Sequence, residues 1–224
     1  LARPGYFSHL TKLSSSPFVR EDGSICQTSG YDKDSETYLD LPEELKNVSV
    51  PEKPTKKEVN EAVSLLTEDL LEGFPFVTQA DRANAIGLLL TPFIRGFVPT
   101  TPLAVVDGRQ PGVGKNLFAD VVSLVVLGKQ MELLTYTNDP EEMRKSLTSA
   151  FRSGQEFFCF DEAHYLSGKY LAQALTAATW RDRTLGKSES VGYPNKVTWL
   201  SLGNQVQIGG DLGRRVYRIN IGFD

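Results

Sequence analysis

From Pro102 to its end the chain alternates short apolar runs with helical ones, and nothing else in the sequence restricts the fold so strongly. "LAVVD" (103–107) is an apolar strand, and "NLFADVVSLVVLG" after it is a largely apolar helix. "MELLTYT" is a second strand. "NDPEEMRKSLTSAFRSG" is a helix, with Asn138 or Asp139 as cap, Pro140 in the first turn and acids early. "EFFCFDEA" is a third strand, "KYLAQALTAATW" a helix, "KVTWLSLGN" a fourth strand and "RVYRINI" a fifth. Strands alternating with helices predict a parallel sheet covered on both faces.

The chemistry lies at the predicted strand ends. After the first strand comes "DGRQPGVGKN". Glycines let backbone N–H groups converge on phosphates, and the start of the next helix adds positive potential. The candidate phosphate-binding residues are Gly112, Val113, Gly114, Lys115, Asn116 and Leu117, with Lys115 supplying a mobile charge. The plainer alternative is a Gly-rich turn with a surface lysine. The third strand ends in Asp161-Glu162. A carboxylate there can hold magnesium, and its neighbour can act as general base on an attacking water. The fourth strand ends in Gly203-Asn204, where an amide can orient that water. Arg214 and Arg215 stand directly before the fifth strand. Taken singly, each of these is a common surface feature.

Four such elements in this order resemble the AAA+ class of P-loop ATPases. Within it, "PLAVVDGRQPGVGKNLFADVV", "FFCFDEAHYL", "ALTAATWRDRTLGKSES" and "WLSLGNQVQIGGDLGRRVYRINI" are similar to the superfamily 3-like helicase domains joined to primases in phages, plasmids and integrated elements. The resemblance covers residues 80–224 well and the rest loosely. It implies an α/β P-loop NTPase fold of AAA+ type, with a five-stranded parallel sheet in the order 5-1-4-3-2 between helices. It implies a Walker A loop at Gly112, Gly114 and Lys115, and a Walker B pair at Asp161 and Glu162. It further implies a first sensor at Asn204, an arginine finger at Arg214 or Arg215, ATP and Mg2+ as ligands, and a homo-oligomeric ring, a hexamer, working on single-stranded DNA beside a primase.

Two departures stand out. Arg109 occupies the place of the usual first glycine, with Gly108 one residue early. Asn116 replaces the usual Ser or Thr, so the metal set expected here is Asn116 and Asp161, with one ligand an amide rather than a hydroxyl.

"WRDRTLGKSESVGYPNK" (180–196) predicts a β-hairpin ahead of the fourth strand. Arg181, Arg183, Lys187 and Lys196 face only Asp182 and Glu189, a weak basic footprint for single-stranded DNA. A solvated connection is the competing account.

The first half is less patterned. Residues 1–54 read as irregular, with "SPFVREDGSI" a strand, an Asp-Gly turn and a strand, and "GYDKDSETYLDLPEEL" an acidic solvated loop. Residues 55–100 form a helical collar. Thr55 and Glu58 make a capping box, and Val59, Ala62, Val63, Leu66 and Leu70 carry one helix to Gly73. A second helix starts near Thr78 and runs to about Gly96, with Pro92 expected to end or kink it. Residues 101–224 form the ATPase core, expected to lack the helical lid such ATPases carry. A start at Leu1 rather than Met suggests a piece of a longer protein.

Composition excludes several classes. A net charge of −4 gives no global attraction to nucleic acid, so any such contact is local. No apolar run approaches the ~20 residues that span a bilayer, so no membrane partner is expected. Cys26 and Cys159 suggest no disulfide framework, in keeping with a reducing cytoplasm, and with His9 and His164 they make no zinc spacing. The functional expectation is an ATP-driven DNA motor, a replicative helicase of a phage or mobile element. The alternative is an initiator, loader or switch that binds ATP and turns it over poorly, which Asn116 favours. A small-molecule kinase is disfavoured, since no basic lid follows the third strand.

Overall fold

The computed structural model describes residues 8–183 and 190–223. It opens with a small β unit: β1 (Lys12–Ser14), β2 (Phe18–Val19), β3 (Ile25–Cys26), β4 (Gly30–Asp32) and β5 (Thr37–Leu39). β2 and β3 are the antiparallel pair the sequence predicts around its Asp-Gly turn. The segment expected to be an acidic loop is instead ordered. β4 and β5 pair antiparallel, β1 adds to β5 in parallel, and a 3-10 turn follows at Glu43–Leu45. The reason lies in Asp32 and the alternation at Thr37–Leu39. Asp32 is no surface charge: it accepts from Arg20 Nε at 2.9 Å and from Ser35, and these bonds hold its carboxyl down to about 2. Leu39 and Leu41 close over Cys26 to form a small satellite core.

α1 (Lys56–Ser64) begins on the expected capping box, with Thr55 and Glu58 bonded reciprocally. It does not continue to Gly73 as one α-helix; Leu65–Leu70 winds as a π-helical turn. Its apolar periodicity also misleads, because Val59 and Val63 are exposed. α2 (Gln79–Ile94) carries a second capping box, Thr78 with Asp81, and passes through Pro92 for two more residues. A proline so close to the end of a helix disturbs few ladder bonds, so the break comes at Arg95 rather than at the ring.

The remaining elements alternate as read. They are β6 (Leu103–Gly108), α3 (Lys115–Leu127), β7 (Leu133–Thr135), α4 (Pro140–Arg152), β8 (Phe157–Asp161), β9 (Tyr165–Leu166), α5 (Lys169–Ala174), β10 (Thr179–Arg183), β11 (Ser190–Pro194), β12 (Thr198–Asn204), β13 (Gln207–Ile208) and β14 (Val216–Ile221). Of the two candidate caps, Asp139 is the one that closes α4, accepting from Glu142 N at 2.9 Å. α5 is shorter than the apolar run suggested, because Thr179 and Trp180 leave it for a hairpin strand.

The main sheet has the order β14-β6-β12-β8-β7, and every neighbouring pair is parallel. This is a five-stranded parallel sheet flanked by helices, in the strand order that the resemblance implied. Alternate residues of one strand feed two cores. Leu103 and Val105 join α4 and α5 on one face, while Ala104 and Val106 join α2 and α3 on the other. Phe157, Phe158, Cys159 and Phe160 are all buried, which is why this strand reads as continuously apolar. Each buried ring contributes about 1.5–3 kcal/mol of burial. No helix among the described residues is long and apolar enough to cross a membrane.

Candidate nucleotide site

The site lies where β6, β8 and β12 end, the edge at which parallel α/β sheets hold their ligands. β6 is fully buried through Gly108; the chain then turns through 109–114 and starts α3 directly at Lys115. Gly112 and Gly114 take φ of +82° and +94°, left-handed values that favour glycine. The early glycine has its own cause. A Cβ on Gly108 would sit 2.8 Å from Lys115 Nζ and 3.0 Å from Val113 Cγ2. Gly108 therefore permits the lysine to fold back over the strand end, and Arg109 does not need to be glycine.

Lys115 is 9% exposed, and its ammonium donates to Asn204 Oδ1 at 2.6 Å. Burial pushes its pKa down, while the carboxylates of Asp107 and Asp161 pull it back up. The sheet register explains the meeting. Asn204 on β12 stands opposite Gly108 on β6, and β8 lies on the other side of β12. Lys115, Asn204 and Asp161 therefore gather at one edge. Asn116 is exposed on the first turn of α3, and Leu117 beside it points mostly to solvent, outside the loop that faces the strand ends.

Asp161 closes β8 and its Oδ1 accepts from Glu162 N at 2.9 Å. Glu162 itself is exposed with φ +54°, and Gln205, directly after Asn204, has φ +52°. Such non-glycine conformations cost of order 1–3 kcal/mol each and cluster at functional sites. Here they flank the two polar strand tips. The following segments are zipped together: Ala163 N donates to Leu202 O at 3.0 Å, and β9 pairs with β13. Gly203 is what lets them close, since a Cβ there would collide with the Ala163 carbonyl oxygen and the Val206 side chain. Gly203→Ala is therefore expected to cost about 3 kcal/mol and lower Tm by roughly 6–12 °C. Calorimetry checks it; a Tm within a degree of wild type would mean that the strand end yields freely.

Arg214 and Arg215 lie at the other end of the sheet. β14 starts at Val216, paired with Leu103, whereas the loop leaves from Gly108, roughly 17 Å away at 3.3 Å per residue. Arg214 has a side chain 73% exposed, while Arg215 is 18% exposed and bonded back to the Asp211 carbonyl. Arg214 is thus the more exposed of the two.

The predicted hairpin exists as β10 and β11, paired antiparallel. Its inner face is pinned to α4, where Arg144 holds both oxygens of Asp182 (2.7 and 2.6 Å) and Trp180 Nε1 donates to Thr148 at 2.9 Å. Arg181 lies exposed on the opposite face, and Arg183 ends β10. Lys187 lies outside the described residues. Lys196 does not join this group, because it lies beyond the hairpin and reaches Gly96 O at 3.3 Å.

Two residues at the site were missed in the sequence. Asp107 is 8% exposed, one position before the glycine turn, and Arg218 on β14 bonds to it. A carboxylate at the end of an otherwise apolar strand was the available clue for Asp107; Arg218 had none. Among the described residues, no group of three His, Cys, Asp or Glu side chains is arranged to hold a metal ion. Asp161 at the tip of β8 and Asn116, exposed on the first turn of α3, each carry an oxygen of the kind a hard cation takes.

No protein-family model matches the chain, and no curated protein matches it. Among solved structures it is similar to the A form apo structure of the NrS-1 C-terminal region, at 15% identity and a TM-score of 0.43, over 95% of this chain and 47% of that one. A second A form apo structure, of NrS-1 CTR(305-718), gives 15% identity and a TM-score of 0.37, over 70% of this chain and 40% of that one. The chain spans about half or less of the structures it matches.

Proposed function

We propose that this chain is an ATP-hydrolysing motor domain of AAA+ type that acts on DNA, the replicative helicase domain of a phage or mobile element. One observation carries the reading: Lys115, Asn204 and Asp161 converge at the start of α3, on the ligand edge of the sheet. The loop N–H groups and the helix start would hold the phosphates, with Lys115 turning from Asn204 to them. Asp161 and Asn116 would hold Mg2+, which would offset the phosphate charge. Glu162 would take the proton of the attacking water, and Asn204, released by Lys115, would orient that water. Arg214 would act in a neighbouring subunit, since it cannot reach its own loop. That favours a ring, a hexamer by resemblance, threading single-stranded DNA past Arg181 and the hairpin beside a primase in the cytoplasm.

The switch reading is supported by the Lys115–Asn204 bond itself, which ties the phosphate-binding candidate to the sensor candidate. Steady-state ATPase rates with and without single-stranded DNA separate it from the motor.

The experiment on the departure at Asn116 is direct. Replacing a hydroxyl ligand by a longer amide weakens the metal by about 1–2 kcal/mol, the scale of one imperfect polar contact. Asn116→Thr is expected to raise ATPase activity, most at low magnesium. Calorimetric titration with ATP and Mg2+ on both proteins tests this. Absence of nucleotide binding by the wild-type chain, in its oligomeric form, would leave the loop a relic.

A further inference from the structure

Asp107 poses an electrostatic problem. It is buried on β6, one residue before Gly108, and its charge is felt by Lys115. A buried carboxylate beside a phosphate loop repels the ligand the loop is shaped for, and in a partly desolvated site that repulsion is poorly screened. Its partners answer the problem. One guanidinium nitrogen of Arg218, Nη1, bonds the carboxylate, and the other, Nη2, donates to Val206 O at 2.7 Å. Val206 N in turn donates to both oxygens of Asp107, at 3.1 and 3.2 Å. The three groups form a closed ring of bonds joining β6, β14 and the turn after β12.

That turn is the one that sets Asn204. Gln205 sits at φ +52°, its N–H reaches Gly108 O at 3.3 Å, and Val206 is the first residue beyond it. A left-handed non-glycine residue persists only where its surroundings over-determine it. The Asp107–Arg218 pair supplies that determination, from one side through the Val206 N–H and from the other through its carbonyl.

We propose that Arg218 is a positioning residue for nucleotide: it masks the Asp107 charge from the phosphates and clamps the Gln205-Val206 turn that aims Asn204. This rests on the nucleotide-site reading above. Arg218 is the third residue of β14, whose first residue follows the 3-10 turn that ends at Arg214 by two positions.

ATP titration in the presence of Mg2+ tests the proposal on four forms of the chain: wild type, Arg218→Gln, Asp107→Asn and the double variant. Arg218→Gln unmasks one charge and is expected to weaken ATP binding about tenfold. Asp107→Asn in the same chain removes that charge and is expected to restore most of the loss. A purely structural role would lower melting temperature in both variants without this reversal in affinity. Equal affinity of Arg218→Gln and wild type, or a double variant as weak as Arg218→Gln, overturns the proposal. Should Arg218→Gln not fold, Arg218→Lys is read instead: it keeps the charge, so affinity close to wild type is expected, and a tenfold loss overturns the masking role. Failure of wild type to bind ATP overturns the nucleotide reading and this proposal together. Binding by wild type with no reversal overturns this one alone.

Discussion

Replacing Lys115 by alanine is expected to weaken nucleotide binding sharply while leaving the chain folded. Its ammonium is bonded to Asn204 at the strand edge beside the loop, and a hydrogen bond to a charged group contributes about 1.5–3 kcal/mol. Losing it amounts to about ten- to a hundredfold in Kd. The effect on stability runs the other way. Burial lowers the lysine pKa by more than the Asp107 and Asp161 carboxylates raise it, so the charge sits there at a net cost. Alanine gives up that cost and leaves Asn204 to find water. Titration with ATP, beside a thermal melt, reads both quantities. Binding within threefold of wild type would show that the loop amides act alone and that the lysine is incidental.

Glu162→Gln is expected to keep binding and lose hydrolysis by about 10²–10⁴-fold, the usual contribution of a positioned general base. The side chain is exposed and bonds nothing that the fold requires, and glutamine tolerates the left-handed backbone, as Gln205 shows at φ +52°. Stability should not change. Phosphate release measured at saturating ATP, with and without single-stranded DNA, provides the comparison. Wild-type turnover by Glu162→Gln would move the base elsewhere, and Asp161 would be the next candidate.

How far the sequence carried differs from element to element. The parallel sheet was legible because β6, β8 and β12 are buried on both faces and therefore read as largely apolar runs, Ser201 and Thr198 of β12 being buried polar exceptions. The glycine turn, Lys115, Asp161 and Asn204 were legible because each ends such a run. The Asp107–Arg218 pair was not, since it is made between strands distant in sequence, and an arginine in "RVYRINI" looks like any solvent-facing strand residue. The order in residues 30–45 was hidden for a related reason: its acids count as surface charge until Asp32 is seen to be held by Arg20. The α1 periodicity erred in the opposite sense, because a stripe of Val59 and Val63 promises a partner that the described residues do not provide. Lys196 was grouped with the hairpin by nearness in sequence, yet the chain has already turned toward Gly96 when it is reached.

Arg95 gives the molecule a mechanical property. This guanidinium is buried and donates to three carbonyl oxygens, those of Val98, Asn195 and Val197, with its pKa lowered to about 10 by burial. It rivets the end of α2 to the foot of the hairpin and the start of β12. At the front of α2, Asp81 holds the backbone and side-chain nitrogens of Asn220 at 2.8 Å each, near the end of β14. A load applied at the hairpin is therefore not absorbed by a hinge at its base. α2 is the strut that joins the foot of the hairpin to β14, the edge strand that begins just after the turn carrying Arg214. Cutting the chain at residue 100 would remove the strut, and force on the hairpin would then be spent bending β12.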